Sequence, residues 1–136
     1  NTTKNNETIS TSEKAYEIFN KIWDQGLIQL QEEFKMLLLD RNNKLLGFYS
    51  LSKGGISGTV VDLKILFAVA LKSKASAIIL AHNHPSGNLK ASAEDIELNK
   101  KIKSASKFLD ILFLDHLIIT KNGFSSFCDE GLMWEN

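Results

Sequence analysis

Apolar residues at helical spacing mark the first element: Ala15, Ile18, Phe19, Ile22 and Trp23 fall on one stripe, the pattern of a helix that buries a single face. Ser10-Thr-Ser-Glu13 ahead of it reads as a capping box, and Gln25-Gly26 as its end. Residues 1–9 are polar without period and are expected to be disordered or frayed, which places the folded domain at residues 10–136. Phe34 to Leu39 is almost continuously apolar, as a strand covered on both faces requires, and Asp40-Arg-Asn-Asn43 turns the chain into Leu45 to Leu51. That is an antiparallel hairpin. Lys53-Gly-Gly55 and Gly58 predict a flexible loop, with no phosphate-loop signature after them.

A helix over residues 62–72, with Leu63, Leu66, Phe67 and Ala70 inward, leads into an apolar strand from Ala77 to His82. A further amphipathic helix runs from about Asp95 to Leu109; Ile96, Asn99, Ile102 and Ala105 line one side, and Glu97, Lys100, Lys101 and Lys103 form a solvated one. Ile111 to Leu114 and His116 to Thr120 read as one or two strand pieces, Lys121-Asn-Gly123 as a turn and Phe124 to Phe127 as the return strand. Helix, hairpin, helix, strand, helix and strands in that order predict an α/β fold with helices on a mixed sheet.

Composition narrows the class. A chain of 136 residues with 43% hydrophobic and 24% charged positions is one ordinary globular domain. Its 16 basic and 16 acidic residues cancel, whereas a duplex-binding domain carries a basic excess, so DNA binding draws no support from charge. The single cysteine, Cys128, has no disulfide partner and no neighbouring ligand and is read as structural. No apolar run reaches the ~18 residues of a membrane span, and the polar start lacks a signal-peptide core, so a cytoplasmic protein is expected.

The chemistry concentrates between Ala77 and Asp95. In a strand, residues i and i+2 project to one side, so His82 and His84 present both imidazoles to one point. Pro85 and Ser86-Gly87-Asn88 then stop the strand, which puts the histidines at its end. Asp95, at the start of the following helix, is placed to return a carboxylate to them, and two His with one Asp leave a zinc position open for water. Ser92-Ala-Glu-Asp95 also fits a capping box that needs no metal. Glu32 and Glu33 precede the first strand, and a hydrolytic metal site needs a carboxylate that is not a ligand to take the water's proton. Adjacent strand residues face opposite sides, so only one of the two can serve, and composition does not choose. His116 sits in a strand of its own and is left out of the ligand set; the tail Leu132-Met-Trp134 caps the core or meets a neighbour.

His82-x-His84, Ser92 and Asp95 match, in spacing throughout, the JAMM metal motif of the MPN metallopeptidases, and His82-Asn-His-Pro-Ser-Gly87 with Asp115-His116-Leu-Ile-Ile119 and Ser126 to Gly131 resembles the bacterial RadC branch, often labelled as DNA-repair proteins. The resemblance covers about Glu32 to Leu132. The chain departs from the branch at Ala91-Ser92, usually Pro-Ser, and at Leu63-Lys64, usually Pro-Arg, and shows no helix-hairpin-helix segment; none of these is a ligand position. The resemblance implies a three-layer α/β/α, cytidine-deaminase-like MPN/JAMM fold. It implies Zn2+ held by His82, His84 and Asp95, with Glu32, two before the phenylalanine, as base and Ser92 as oxyanion donor. The activity implied is hydrolysis of a peptide or isopeptide bond in an unidentified protein or peptide substrate. A zinc deaminase needs cysteine ligands this chain lacks, and the literal His-Asn-His is not the spread-out nuclease motif of that name. The stronger rival is a non-catalytic metal-binding or interaction module linked to DNA repair or recombination.

Overall fold

The computed structural model describes residues 7–53 and 61–133; residues 1–6, the predicted loop through Gly54, Gly55 and Gly58, and Trp134 lie outside the described residues. The elements are α1 (Ser12–Ile22), β1 (Glu33–Leu39), β2 (Leu45–Lys53), α2 (Leu63–Lys72), β3 (Ala77–Asn83), α3 (Ala93–Phe108), β4 (Leu112–Thr120) and β5 (Gly123–Ser126). The five strands form one mixed sheet in the order β2-β1-β3-β4-β5. Only β3 and β4 run parallel, because α3 carries the chain back over the sheet between them.

Alternation along the central strands builds two cores. Phe34, Met36, Leu38, Ile78 and Leu80 meet α2 and α3 through Leu66, Phe67, Ala70 and Ile102. Leu37, Leu39, Ile79, Ala81, Leu117 and Ile119 meet α1 through Ala15, Ile18, Phe19 and Trp23. The predicted three layers are therefore present, and covering both faces is why β1 and β3 read as unbroken apolar runs.

Local chemistry moves some boundaries. Thr11, not Ser10, caps α1, its side-chain oxygen accepting the Lys14 N–H at 3.0 Å. Residues 7–9 are not frayed: Ile9 N–H donates to Asn43 at 2.8 Å, Leu45 N–H donates to Glu7 at 2.8 Å, and Ile9 is buried. One apolar residue in a polar stretch shows no period, so the hairpin that recruits it was needed to see it. β4 is a single strand, with a register shift opposite Ile78 and Ile79. Beside that shift the buried Asp115 carboxylate accepts from Ser126 Oγ at 2.6 Å and from the N–H groups of His116 and Cys128 at 2.7 and 3.0 Å. Burial raises its pKa despite those bonds. The Cys128 thiol donates to the Leu114 carbonyl at 2.9 Å, and burial together with Asp115 pushes its pKa up to about 11.

Candidate metal centre

β3 ends where Pro85 and the following turn dictate. The Gly87 N–H closes on the His84 carbonyl at 3.0 Å, and Gly87 takes a φ of 89°, a backbone open to glycine and strained for other residues. The returning loop is pinned by Ser125 Oγ, which donates to the Leu89 carbonyl at 2.7 Å. Ser92 then caps α3. Its hydroxyl oxygen accepts the Asp95 N–H at 3.0 Å, while its own N–H donates to Asp95 Oδ2 at 2.9 Å. Capping and metal binding are thus not alternatives for Asp95, because the capping box holds the carboxylate against the histidines.

The three groups converge at His82 Nε2 to His84 Nε2 3.0 Å, His82 Nε2 to Asp95 Oδ1 3.2 Å and His84 Nε2 to Asp95 Oδ2 3.1 Å. Bonds of ~2.0–2.1 Å, as zinc makes to nitrogen and oxygen, put tetrahedral ligand atoms about 3.3–3.4 Å apart. The far side of each ring fixes its tautomer. His84 Nδ1 lies 2.6 Å from the Asn88 carbonyl, which only accepts, so Nδ1 carries the proton. His116 Nδ1 donates to Asn99 Oδ1 at 3.0 Å, leaving its Nε2 to accept from His82 Nδ1 at 2.8 Å. Burial drives the His116 pKa well below the ordinary histidine value, helped by repulsion from His82 and His84, and so keeps that ring neutral. Both Nε2 lone pairs and a carboxylate then face one point with no proton among them, an arrangement that a cation satisfies. Without one, a proton must take its place. Burial opposes a charge on His84, but Asp95, the Asn88 carbonyl and Glu32 outweigh it and raise its pKa. Burial likewise opposes ionisation of Asp95, yet hydrogen bonds from the two imidazoles hold its carboxyl far below the usual range.

Glu32 completes the cluster: with His82 and His84 it offers ligand atoms all within 4.8 Å of one another. It has the parity of Phe34, whose ring stacks on His82 with centroids 4.6 Å apart. Glu33 turns to the opposite face, buried 3.9 Å from Lys35 Nζ, which bonds Ser50 Oγ at 2.9 Å and lies 5.3 Å from the Trp23 ring centre. Of the two glutamates, Glu32 is therefore the one on the side of the histidines, and Glu33 is buried on the other face. The Ser92 side chain is exposed at the rim, and because its oxygen accepts from Asp95, its hydroxyl proton is available to donate outward. Sequence reasoning passed over Asn83 and the partners that His116 takes, His82 Nδ1 donating to it and Asn99 accepting from it. Asn83 lies between the two histidines and is fully buried.

A family model described as the RadC-like JAB domain matches residues 9–132. The chain is 44% identical over 124 residues to a UPF0758 protein of Flavobacterium johnsoniae, covering 91% of this chain and 53% of that one. A UPF0758 protein of Porphyromonas gingivalis is 41% identical over 129 residues, covering 93% and 55%, and one of Haemophilus ducreyi 38% over 130 residues, covering 96% and 57%. The chain spans about half the length of these relatives. No helix among the described residues is long and apolar enough to cross a membrane.

Proposed function

This chain belongs to the RadC-like JAB domain family, and from that membership we propose that it is a zinc-dependent hydrolase of peptide or isopeptide bonds. The observation that carries the reading is the convergence of three proton-free acceptors at 3.0–3.2 Å beside a second carboxylate, Glu32, that clusters with the two imidazoles within 4.8 Å. His82, His84 and Asp95 hold the ion. When bound, it acidifies a water and polarises the scissile carbonyl. Glu32, clustered with both imidazoles, takes the proton from the attacking water and returns it to the leaving amine. Ser92 turns its free hydroxyl proton toward the carbonyl oxygen as negative charge develops there. Asn88 and the pair His116 and Asn99 keep both imidazoles in the ligating tautomer throughout.

Elemental analysis of metal-replete protein, run beside cleavage assays on peptide and isopeptide-linked substrates and salt-dependent DNA binding, tests this. About one zinc per chain together with cleavage lost in Glu32→Gln supports the hydrolase. A protein without transition metal removes the site, and stoichiometric zinc with no cleavage but tight DNA or protein binding favours the interaction module instead.

A further inference from the structure

We infer that Asn83 is the positioning residue that sets Glu32 over the metal site, an inference that rests on the reading above. The pairing of β1 with β3 begins at Phe34 opposite His82. Glu32 lies beyond that last rung, at the end of a turn-rich stretch, so the ladder between these strands does not hold its backbone. Asn83 does. Its Oδ1 accepts the Glu33 N–H at 2.7 Å, and its Nδ2 donates to the carbonyls of Ile28 at 2.8 Å and Gln31 at 2.9 Å. The Gln31 carbonyl and the Glu33 N–H belong to the two peptide groups that flank Glu32, so one side chain grips the backbone on both sides of the proposed base.

The Asn83 side chain has no exposure to water and both its amide protons are in use, conditions in which its bonds are worth most and a loss leaves an orphaned group. Asn83 also stands between the two histidine ligands. Because side chains alternate along a strand, His82 and His84 face the ion while Asn83 faces the Glu32 segment. Ligands and base are therefore referenced to one strand end. Serine or threonine at this position lacks the second donor needed to hold both carbonyls and the amide at once.

The test uses Co2+ as the probe in the wild-type chain, Asn83→Ala and Asn83→Thr, the last chosen because its β-branched side chain suits a strand. Amide exchange is followed at Glu33 and at Leu37, and the Co2+-induced shift is followed at the Glu32 carboxyl carbon and on the His82 and His84 rings. We expect Glu33 exchange to accelerate about tenfold or more relative to Leu37, and the Glu32 carbon to lose most of its Co2+-induced shift, while Co2+ uptake and the ring signals stay as in the wild type. A variant that melts earlier yet keeps the Glu32 shift overturns the positioning role, as does loss of folding in both variants. A wild-type chain that takes up no Co2+, with silent histidine signals, overturns the metal reading and the positioning role together, and those silent signals distinguish it from failure of Asn83 alone.

Discussion

Two carboxylates border the two imidazoles, and exchanging each for its amide separates ligand from base. Asp95 places its oxygens 3.1 and 3.2 Å from the two Nε2 atoms, close to the ~3.3–3.4 Å edge of a zinc tetrahedron. Glu32 lies in a cluster with the two imidazoles whose ligand atoms are all within 4.8 Å of one another, near enough to accept a hydrogen bond of about 2.7 Å from a water at the site. Substituting an outer partner of a metal ligand costs roughly 10–100-fold in affinity, so Asp95→Asn, which removes a ligand charge, should weaken binding by at least about 100-fold. Glu32→Gln should weaken binding less than Asp95→Asn does, as expected of a group outside the ligand set, while turnover on a cleaved substrate falls at least about 100-fold, the scale of a positioned general base. Competition against a chromogenic chelator reads the first quantity without any knowledge of the substrate. If instead Glu32→Gln releases the ion and Asp95→Asn retains it, the roles are reversed: Asp95 is only the capping carboxylate of α3, and the tetrahedral argument fails.

Ser92→Ala should cost about 1 kcal/mol of stability through the lost cap and on the order of a hundredfold in turnover through the lost donor; early melting with full activity would leave the cap as its only role. In metal-free protein the raised His84 pKa stabilises the fold fully below pH ~6.5, and that contribution disappears as pH rises through the raised value. The metal-free melting temperature should therefore fall as pH rises above ~6.5, while metal affinity should rise, by up to about tenfold per unit for the one proton displaced; opposite slopes would show that His84 is not the group sharing its proton with the ion. With its pKa pushed up to about 11, Cys128 in the folded chain should react with iodoacetamide at pH 8 about two orders of magnitude more slowly than a free thiol, and an ordinary rate measured by mass spectrometry would contradict its half-buried place beside Asp115.

What can be read from residues alone here is whatever one strand or one helix start decides. Strand parity places His82 and His84 together, Pro85 ends the strand, and the reach of a capping box puts Asp95 within three residues of Ser92; each step is local. The contribution of His116 is not local. It stands opposite Leu80 in a parallel pairing made by a helix crossover, and no pattern in either strand encodes that register. Glu32 and Glu33 were distinguished only by family resemblance until the Trp23 and Lys35 contacts showed which face α1 covers.

Asn83 was hidden for a different reason: its partners at Ile28, Gln31 and Glu33 are backbone groups, and a carbonyl or N–H has no residue identity to detect. Its side-chain direction was nevertheless implied by the argument that found the metal site. If alternation puts His82 and His84 on one face, the residue between them must face the other, where a fully buried amide has to find partners for every proton. The middle residue of a His-x-His strand end is therefore constrained by the segment packed beneath it, and in this fold that segment carries the candidate base. A substitution there should disturb Glu32 before it disturbs either imidazole, since the histidines are held separately by Asn88 and by His116.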